Sequence, residues 1–179
     1  MIERPFSLKP FIQEDISSDF NITGRICRDE GKIIIMYELC GPIEELIIPA
    51  CGIGCERMDR LWEETCFEFF LNPHNTCNYW EFNLSPSGHW NVYRFNDYRK
   101  DMQKEKAFVN LPFSIHKGPE IMRLTLEFKV DMIIPKDRAI DIGVSAVMKD
   151  MNNRITYWAL DHHAEMPDFH RQDVFLIDL

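Results

Sequence analysis

The sequence is short of basic residues: 20 Lys and Arg stand against 29 Asp and Glu, which gives a formal net charge of −9. Because no stripe of basic side chains is available to neutralise phosphates, we expect no nucleic-acid partner. The same charge disfavours adsorption to anionic membranes. No apolar run approaches the ~18 residues that a membrane-spanning helix needs. We therefore expect no membrane partner either.

The cysteines give no indication of a metal or redox site. The sequence has six of them but no CxxC pair, so neither a zinc knuckle nor a thioredoxin-type motif is supported. Cys51 and Cys55 could donate two metal ligands, but no matching pair follows them. The CxxCH motif of attached haem is also missing. We interpret the cysteines as reduced and packed, and we expect no metal and no cofactor.

The amino-terminal residues, MIERPFSLKPFIQED, do not match a secretory signal. Glu3 and Pro5 interrupt the apolar run that such a signal requires, so we expect a cytoplasmic protein. A chain of 179 residues without an internal repeat or a low-complexity segment is most simply one domain, covering residues 1–179.

What the sequence contains instead is a succession of strand patterns. Apolar and polar residues alternate with a period of two in many segments, and no long segment shows a helical period. Strands are predicted at residues 20–28, 32–40, 45–48, 121–130, 139–148, 154–160 and 173–179, with three more inside residues 61–99. This succession predicts an all-β fold, an antiparallel β-sandwich or jelly roll with little helix.

Residues 61–99 hold three of the four tryptophans and an unusual number of carboxylates among apolar residues. We expect one face of the three strands to be core: Phe67, Phe69, Trp80, Phe82, Tyr93 and Phe95. The other face mixes aromatic, acidic, amide and guanidinium groups: Trp62, Glu64, Glu68, Tyr79, Glu81, Asn83, Trp90 and Arg94. Such a face suits a polar ligand, and Arg99 could close one end of the site. Alternatively, it is a solvated outer face with carboxylates paired to Arg94 or Arg99.

Three segments together resemble a known family: LWEETCFEFFL, YWEFNLSPSGHWNVYRFNDYR and YWALDHHAEMPDFH. The resemblance is to the DOMON-like superfamily and, within it, to bacterial proteins similar to family 9 carbohydrate-binding modules. It covers residues from about 19 to 179. It implies a jelly-roll sandwich whose ligand lies on an open sheet face, a sugar in some branches and haem in others. In the carbohydrate-binding branch two tryptophans clamp a sugar, and Trp62 and Trp90 match that description in kind.

A second polar group lies in a loop near the carboxyl end. Asp161, His162 and His163 are followed by Asp168 and His170, and residues of these types can bind a divalent metal. The alternative is that Asp168 and His170 hydrogen-bond the loop backbone. In the resemblance this loop follows the strand that carries Trp158, so it could border the ligand face.

The interpretation that we favour is a non-catalytic domain that binds a small ligand, with a sugar as the expected class. The expected ligand-binding residues are Trp62, Glu64, Glu68, Tyr79, Glu81, Asn83, Trp90, Arg94, Arg99, His162 and His170. An enzyme is the main alternative, with Glu81 and one of the other two glutamates as acid and base. Glu64 and Glu68 cannot form that pair on a straight strand, since they would lie roughly 13 Å apart. A haem-binding domain and a protein-binding sheet are the remaining alternatives.

Overall fold

The computed structural model describes residues 1–11, 19–49 and 56–179, and nearly all of the regular structure in these residues is β. The strands are β1 (Ile2–Ser7), β2 (Lys9–Pro10), β3 (Asn21–Asp29), β4 (Lys32–Cys40), β5 (Cys66–Pro73), β6 (Tyr79–Leu84), β7 (Trp90–Phe95), β8 (Gln103–Lys104), β9 (Phe113–Lys117), β10 (Ile121–Lys129), β11 (Ile140–Lys149), β12 (Ile155–Ala159) and β13 (Ile177–Asp178). Short 3₁₀ turns occur at Ile43–Glu45, Leu61–Glu63, Val130–Met132 and Gln172–Val174. Within the described ranges, no helix is both long and apolar enough to cross a membrane.

The strands form two antiparallel sheets. The smaller sheet has the order β1-β3-β4-β10-β9. The larger sheet has the order β2-β12-β11-β5-β6-β7-β8, and β13 pairs with β11. This arrangement confirms the predicted antiparallel β-sandwich with little helix.

The core lies between the two sheets, and aromatic rings connect them. Phe69 and Phe82 stack within the larger sheet at 4.4 Å between ring centroids, and Phe128 of the smaller sheet lies 4.8 Å from Phe82. Tyr37 of β4 packs 5.0 Å from Phe67 and donates a 2.6 Å hydrogen bond to the backbone oxygen of Glu68. The aromatic predictions for β5 and β6 are therefore confirmed.

The outer face of the larger sheet is covered as well. All residues of β5 and β6 are buried. The segment 167–175 and the turn Leu61–Glu63 lie over this face. A second apolar cluster lies under them, made of Phe70, Tyr79, Tyr93, Phe95, Val174 and Phe175, with Trp62 and Phe169 against it. Gly143 of β11 makes this possible, because a Cβ at that position would lie 2.5 Å from Cδ1 of Phe175.

The predicted orientation of β7 is wrong. Trp90 and Val92 belong to the core between the sheets, whereas Tyr93 and Phe95 belong to the outer cluster. The cause is the pairing with β6, where Phe82 lies opposite Val92. Directly opposed residues of an antiparallel pair share a face, so a core position for Phe82 requires one for Val92 and for Trp90, two residues before it.

Smaller predictions also differ from the structure. Residues 45–48 form no strand but follow a 3₁₀ turn, with a single bridge between Leu46 and Asp150. The predicted last strand, residues 173–179, is shorter in the structure, where it is β13 (Ile177–Asp178). The strands β1, β2, β8 and β9 were not predicted. Cys27, Cys40, Cys66 and Cys77 are free thiols. Cys51 and Cys55, considered above as possible metal ligands, lie outside the described residues.

Candidate functional site

A cavity of about 340 Å³ lies on the outer face of the larger sheet. Its polar lining comes from Glu68 of β5, Glu81 of β6, and Arg99 and His170 from two loops. Its aromatic lining comes from Trp62, Phe95, Tyr157 and Phe169, and the rest is Met102, Val147 and Pro167. The cavity therefore combines flat apolar rings with a small number of converging polar groups, as ligand sites commonly do.

Two buried carboxyl groups lie on the sheet at the base of the cavity. Glu68 is 3% exposed and Glu81 is 4% exposed. They are diagonal neighbours, since Glu68 lies opposite Asn83 and Glu81 lies opposite Phe70. Asn83 Nδ2 donates to Glu81 Oε1 at 2.8 Å, and Ser145 Oγ donates to Glu68 Oε2 at 3.3 Å. Glu68 Oε1 is buried without a hydrogen-bond partner among the described groups, so an acceptor that a ligand could satisfy faces this region.

Burial controls the protonation of this pair. The loss of hydration raises the pKa of Glu68 well above its ordinary value, and the nearby charge of Glu81 raises it further. Burial also raises the pKa of Glu81 to about 7, although the hydrogen bond from Asn83 and the charge of Arg99 oppose that shift. Two adjacent buried carboxyls cannot both ionise cheaply. The pair therefore retains at least one proton near neutral pH.

His170 is held in its neutral form over this pair. Burial and the charge of Arg99 lower the pKa of His170 to about 4. The Tyr79 hydroxyl lies 2.8 Å from His170 Nδ1 and accepts a 3.1 Å hydrogen bond from the Arg99 backbone N–H. Because the Tyr79 oxygen accepts the hydrogen bond from Arg99, the Tyr79 hydroxyl can donate its proton to His170 Nδ1. The Nε2 atom then carries the ring proton toward Glu81 Oε2, 3.8 Å away.

Asp168 fixes the loop that carries His170. Its Oδ1 accepts hydrogen bonds from Arg99 Nη2 at 2.8 Å and from the His170 backbone N–H at 3.2 Å. Its Oδ2 accepts from the Tyr98 hydroxyl at 2.5 Å. These bonds lower the pKa of Asp168 against the opposing effect of burial. Arg99, the cation on the cavity wall, is thus already ion-paired.

The aromatic lining is anchored by ring contacts. Trp62, half-buried in the turn Leu61–Glu63, packs edge-on against Tyr93 at 5.8 Å between centroids. Phe95 stacks on Tyr79 at 4.8 Å with the ring planes 6° apart. Tyr157 and Phe169, both half-buried, lie 6.1 Å apart. Half-buried rings in fixed positions leave apolar faces available to a ligand.

The structure brings most of the predicted site residues together. Trp62, Glu68, Glu81, Arg99 and His170 line the cavity. Tyr79 and Asn83 do not appear in its lining but lie behind it, where they hydrogen-bond His170 and Glu81.

Four predicted residues lie elsewhere. Trp90 is in the core, with the Arg57 guanidinium 4.5 Å from its ring centre. Arg94 is exposed near the end of β7, on the same strand face as Trp90 and away from the cavity, 5.9 Å from the Trp80 ring. Glu64 accepts a 2.8 Å hydrogen bond from Lys149, and His162 contacts the Lys9 backbone oxygen at 2.9 Å. These four residues therefore do not share the cavity with the other predicted site residues.

The prediction missed the apolar half of the site: Phe95, Met102, Val147, Tyr157, Pro167 and Phe169. The sequence could have indicated Pro167 and Phe169, because they lie beside Asp168 in the polar loop. It could also have indicated Tyr157, which lies in one of the segments that carry the family resemblance. Met102 and Val147 lie in segments whose local pattern gives no indication of a cavity.

The histidine loop does not gather into one metal centre. His163 lies between Asp161 and Asp173, at 3.4 and 3.6 Å, while His170 faces the cavity. Among the residues that the structure describes, the His/Cys/Asp/Glu group with converging ligand atoms is His74, Asp141 and Asp178, which are not part of the cavity lining. A 2.8 Å contact joins His74 Nε2 to Asp141.

No family model matches the sequence, and no curated protein does. The fold does have relatives among solved structures. One is a protein of Bacteroides uniformis provisionally assigned as carbohydrate-binding, with a TM-score of 0.67 and 14% identity over 96% of this chain and 83% of that one. Two others are structures of a family 9 carbohydrate-binding module from Caldicellulosiruptor kristjanssonii. The cellotriose complex has a TM-score of 0.51 and 8% identity, covering 88% of this chain and 72% of that one. The glucose complex has a TM-score of 0.51 and 10% identity, covering 84% and 70%. The chain is thus similar in fold to carbohydrate-binding modules.

Proposed function

We propose that the protein binds a carbohydrate in the cavity of the larger sheet. The observation that carries the proposal is the placement of half-buried aromatic rings above two buried carboxyl groups. One of these carboxyls has an oxygen without a hydrogen-bond partner among the described groups. A sugar ring has an apolar C–H face and a rim of hydroxyls. The rings of Trp62 and Tyr157 suit the first, and Glu68, Glu81 and His170 suit the second through short polar contacts.

The size of the cavity favours a small sugar. Its volume of about 340 Å³ is near the lower end of the roughly 300–1,000 Å³ range of ligand pockets, which suits a mono- or disaccharide. The solved modules of similar fold that contain cellotriose and glucose support the same class of ligand. Membership of the DOMON-like superfamily is part of this proposal.

Trp62→Ala tests the site directly. We expect calorimetry with mono- and disaccharides to show saturable binding by the unmodified protein. The variant should bind about tenfold more weakly, because it loses a stacking contact of about 0.5–1.5 kcal/mol and part of the cavity wall. Arg94→Ala is the matched control, since Arg94 lies outside the cavity, and it should bind normally. If Arg94→Ala loses sugar binding and Trp62→Ala keeps it, the binding site lies on another face of the protein.

Acid–base catalysis on a bound sugar is the second candidate. The pKa of Glu81, about 7, favours it, because a general acid or base works best near the operating pH. Incubation with a panel of nitrophenyl glycosides would release nitrophenol if the pair cleaves glycosides. Saturable sugar binding without any release would leave binding as the function.

A further inference from the structure

The cavity lining holds two carboxyl groups and, among its described residues, no Arg or Lys that is free to pair with them. Glu68 and Glu81 contribute two carboxyl groups. Arg99 is the one Arg or Lys among the described residues of the lining, and its guanidinium is already paired with Asp168 at 2.8 Å. His170, the other basic group, is buried and uses Nδ1 to contact Tyr79. The carboxyl pair is therefore without a cation of its own in the described lining.

The base of the cavity also has an open acceptor. Glu68 Oε1 has no hydrogen-bond partner among the described groups although Glu68 is 3% exposed. In the part of the chain that the structure describes, Glu81 Oε2 has only the approach of His170 Nε2, at 3.8 Å. A buried acceptor left open is costly in the free protein unless a bound group satisfies it. A donor with a positive charge would satisfy it best.

We propose that the cavity selects amino sugars, whose ammonium group binds to the Glu68–Glu81 pair while the ring lies against Trp62 and Tyr157. This inference rests on the proposed carbohydrate function and specifies its ligand class. An ammonium group provides three donors and one positive charge, which matches the open acceptors and the missing cation. The rings of Phe95 and Phe169 also line the cavity, and aromatic rings attract cations.

The proposal predicts a proton release that a neutral sugar does not cause. The titratable groups around the pair are Cys66, Tyr79, Tyr93, Arg99 and His170, with Asp168 paired to Arg99 and Tyr37 on the inner face of the sheet. Burial raises the pKa of the three tyrosines and of the cysteine, while Arg99 and Asp168 stay ionised and His170 stays neutral. A proton displaced near pH 7 by an incoming ammonium therefore leaves the carboxyl pair and passes to the buffer.

The experiment is calorimetry of the whole chain at pH 7 with glucosamine, galactosamine and mannosamine, each compared with its parent hexose and its N-acetyl form. We expect at least one amine to bind about tenfold or more tightly than its two neutral counterparts. Titrations in buffers of different ionisation enthalpy should show proton release with that amine and none with its hexose. Cyclohexylamine provides the charge without the hydroxyls and should bind more weakly than the amino sugar.

The possible outcomes separate this inference from the proposed function. Hexoses that bind as well as every amine would overturn the amino-sugar assignment and leave carbohydrate binding intact. No binding by any sugar would overturn both. Equal binding of cyclohexylamine would reassign the cavity to amines in general. Glu81→Gln should reduce the preference for the amine at least fivefold, whereas Glu127→Gln, on the smaller sheet and paired with Lys32, should retain it.

Discussion

Replacing Trp90 by alanine is expected to lower the free energy of unfolding by about 3–5 kcal/mol. Trp90 is 1% exposed and lies opposite Leu84 in the core between the sheets. The Arg57 guanidinium covers its ring and donates to the backbone oxygens of Glu105 and Phe108, so a rigid neighbour cannot collapse into the vacated space. Both the lost burial and the residual cavity then destabilise the fold.

Urea unfolding measures this loss of stability, and two further variants help to interpret it. Trp90→Phe should cost less, roughly 1–2 kcal/mol, because it keeps an aromatic ring and removes an indole N–H that lacks a hydrogen-bond partner among the described groups. Trp62→Ala should cost less than Trp90→Ala and reduce sugar binding instead. If Trp90→Ala unfolds at the same urea concentration as the unmodified protein but no longer binds sugar, Trp90 belongs to the ligand site after all.

The contrast between these two tryptophans shows where sequence reasoning succeeds. In β4 and β10, buried residues alternate with exposed or half-buried ones, because one face of the smaller sheet meets solvent. A period of two then identifies both the strand and its orientation. The same reasoning correctly assigned Phe67, Phe69 and Phe82 to the core.

The same reasoning fails for β7, because both faces of that strand are mostly buried. Trp90 and Val92 face one apolar cluster while Tyr93 and Phe95 face another. Local alternation carries no information about orientation in such a strand, and only the register with β6 decides it. The segment that covers the outer face begins more than seventy residues after β7 in the sequence. Its contact with the sheet is a property of the tertiary fold.

In the candidate site, too, some residues can be predicted from the sequence and others depend on the tertiary fold. Glu68 and Glu81 stand out in the sequence because carboxylates are rare in strands that are otherwise so apolar. His170 approaches Glu81 Oε2 at 3.8 Å, and it is held there by Tyr79, 91 positions away in the chain, and by the loop that Asp168 fixes. The cavity itself does not follow from spacing along the strands, since it depends on which loops cover the sheet.

Glu81→Gln is expected to stabilise the protein at alkaline pH while it weakens ligand binding. The folded-state pKa of Glu81, about 7, lies above the ordinary value of 4.5. Between these values the folded state binds more protons than the unfolded state, so stability falls as pH rises through this window. The higher folded-state pKa of Glu81 therefore lowers the stability of the unmodified protein by roughly 3 kcal/mol at pH 8. Glutamine has nearly the same shape, accepts the Asn83 hydrogen bond through its amide oxygen, and has no charge to bury.

The measurement is the difference in unfolding free energy between the variant and the unmodified protein at pH 4.5 and at pH 8. We expect a small difference at pH 4.5 and a gain of roughly 3 kcal/mol for the variant at pH 8. His170 titrates in both proteins and contributes little to the comparison. Glu127→Gln, whose carboxyl is exposed, should differ by less than about 1 kcal/mol at either pH. Equal stabilities of Glu81→Gln and the unmodified protein at both pH values would show that Glu81 is not a buried, protonated group. The expected gain would instead mean that this carboxyl reduces stability in the free protein, as groups retained for ligand binding commonly do.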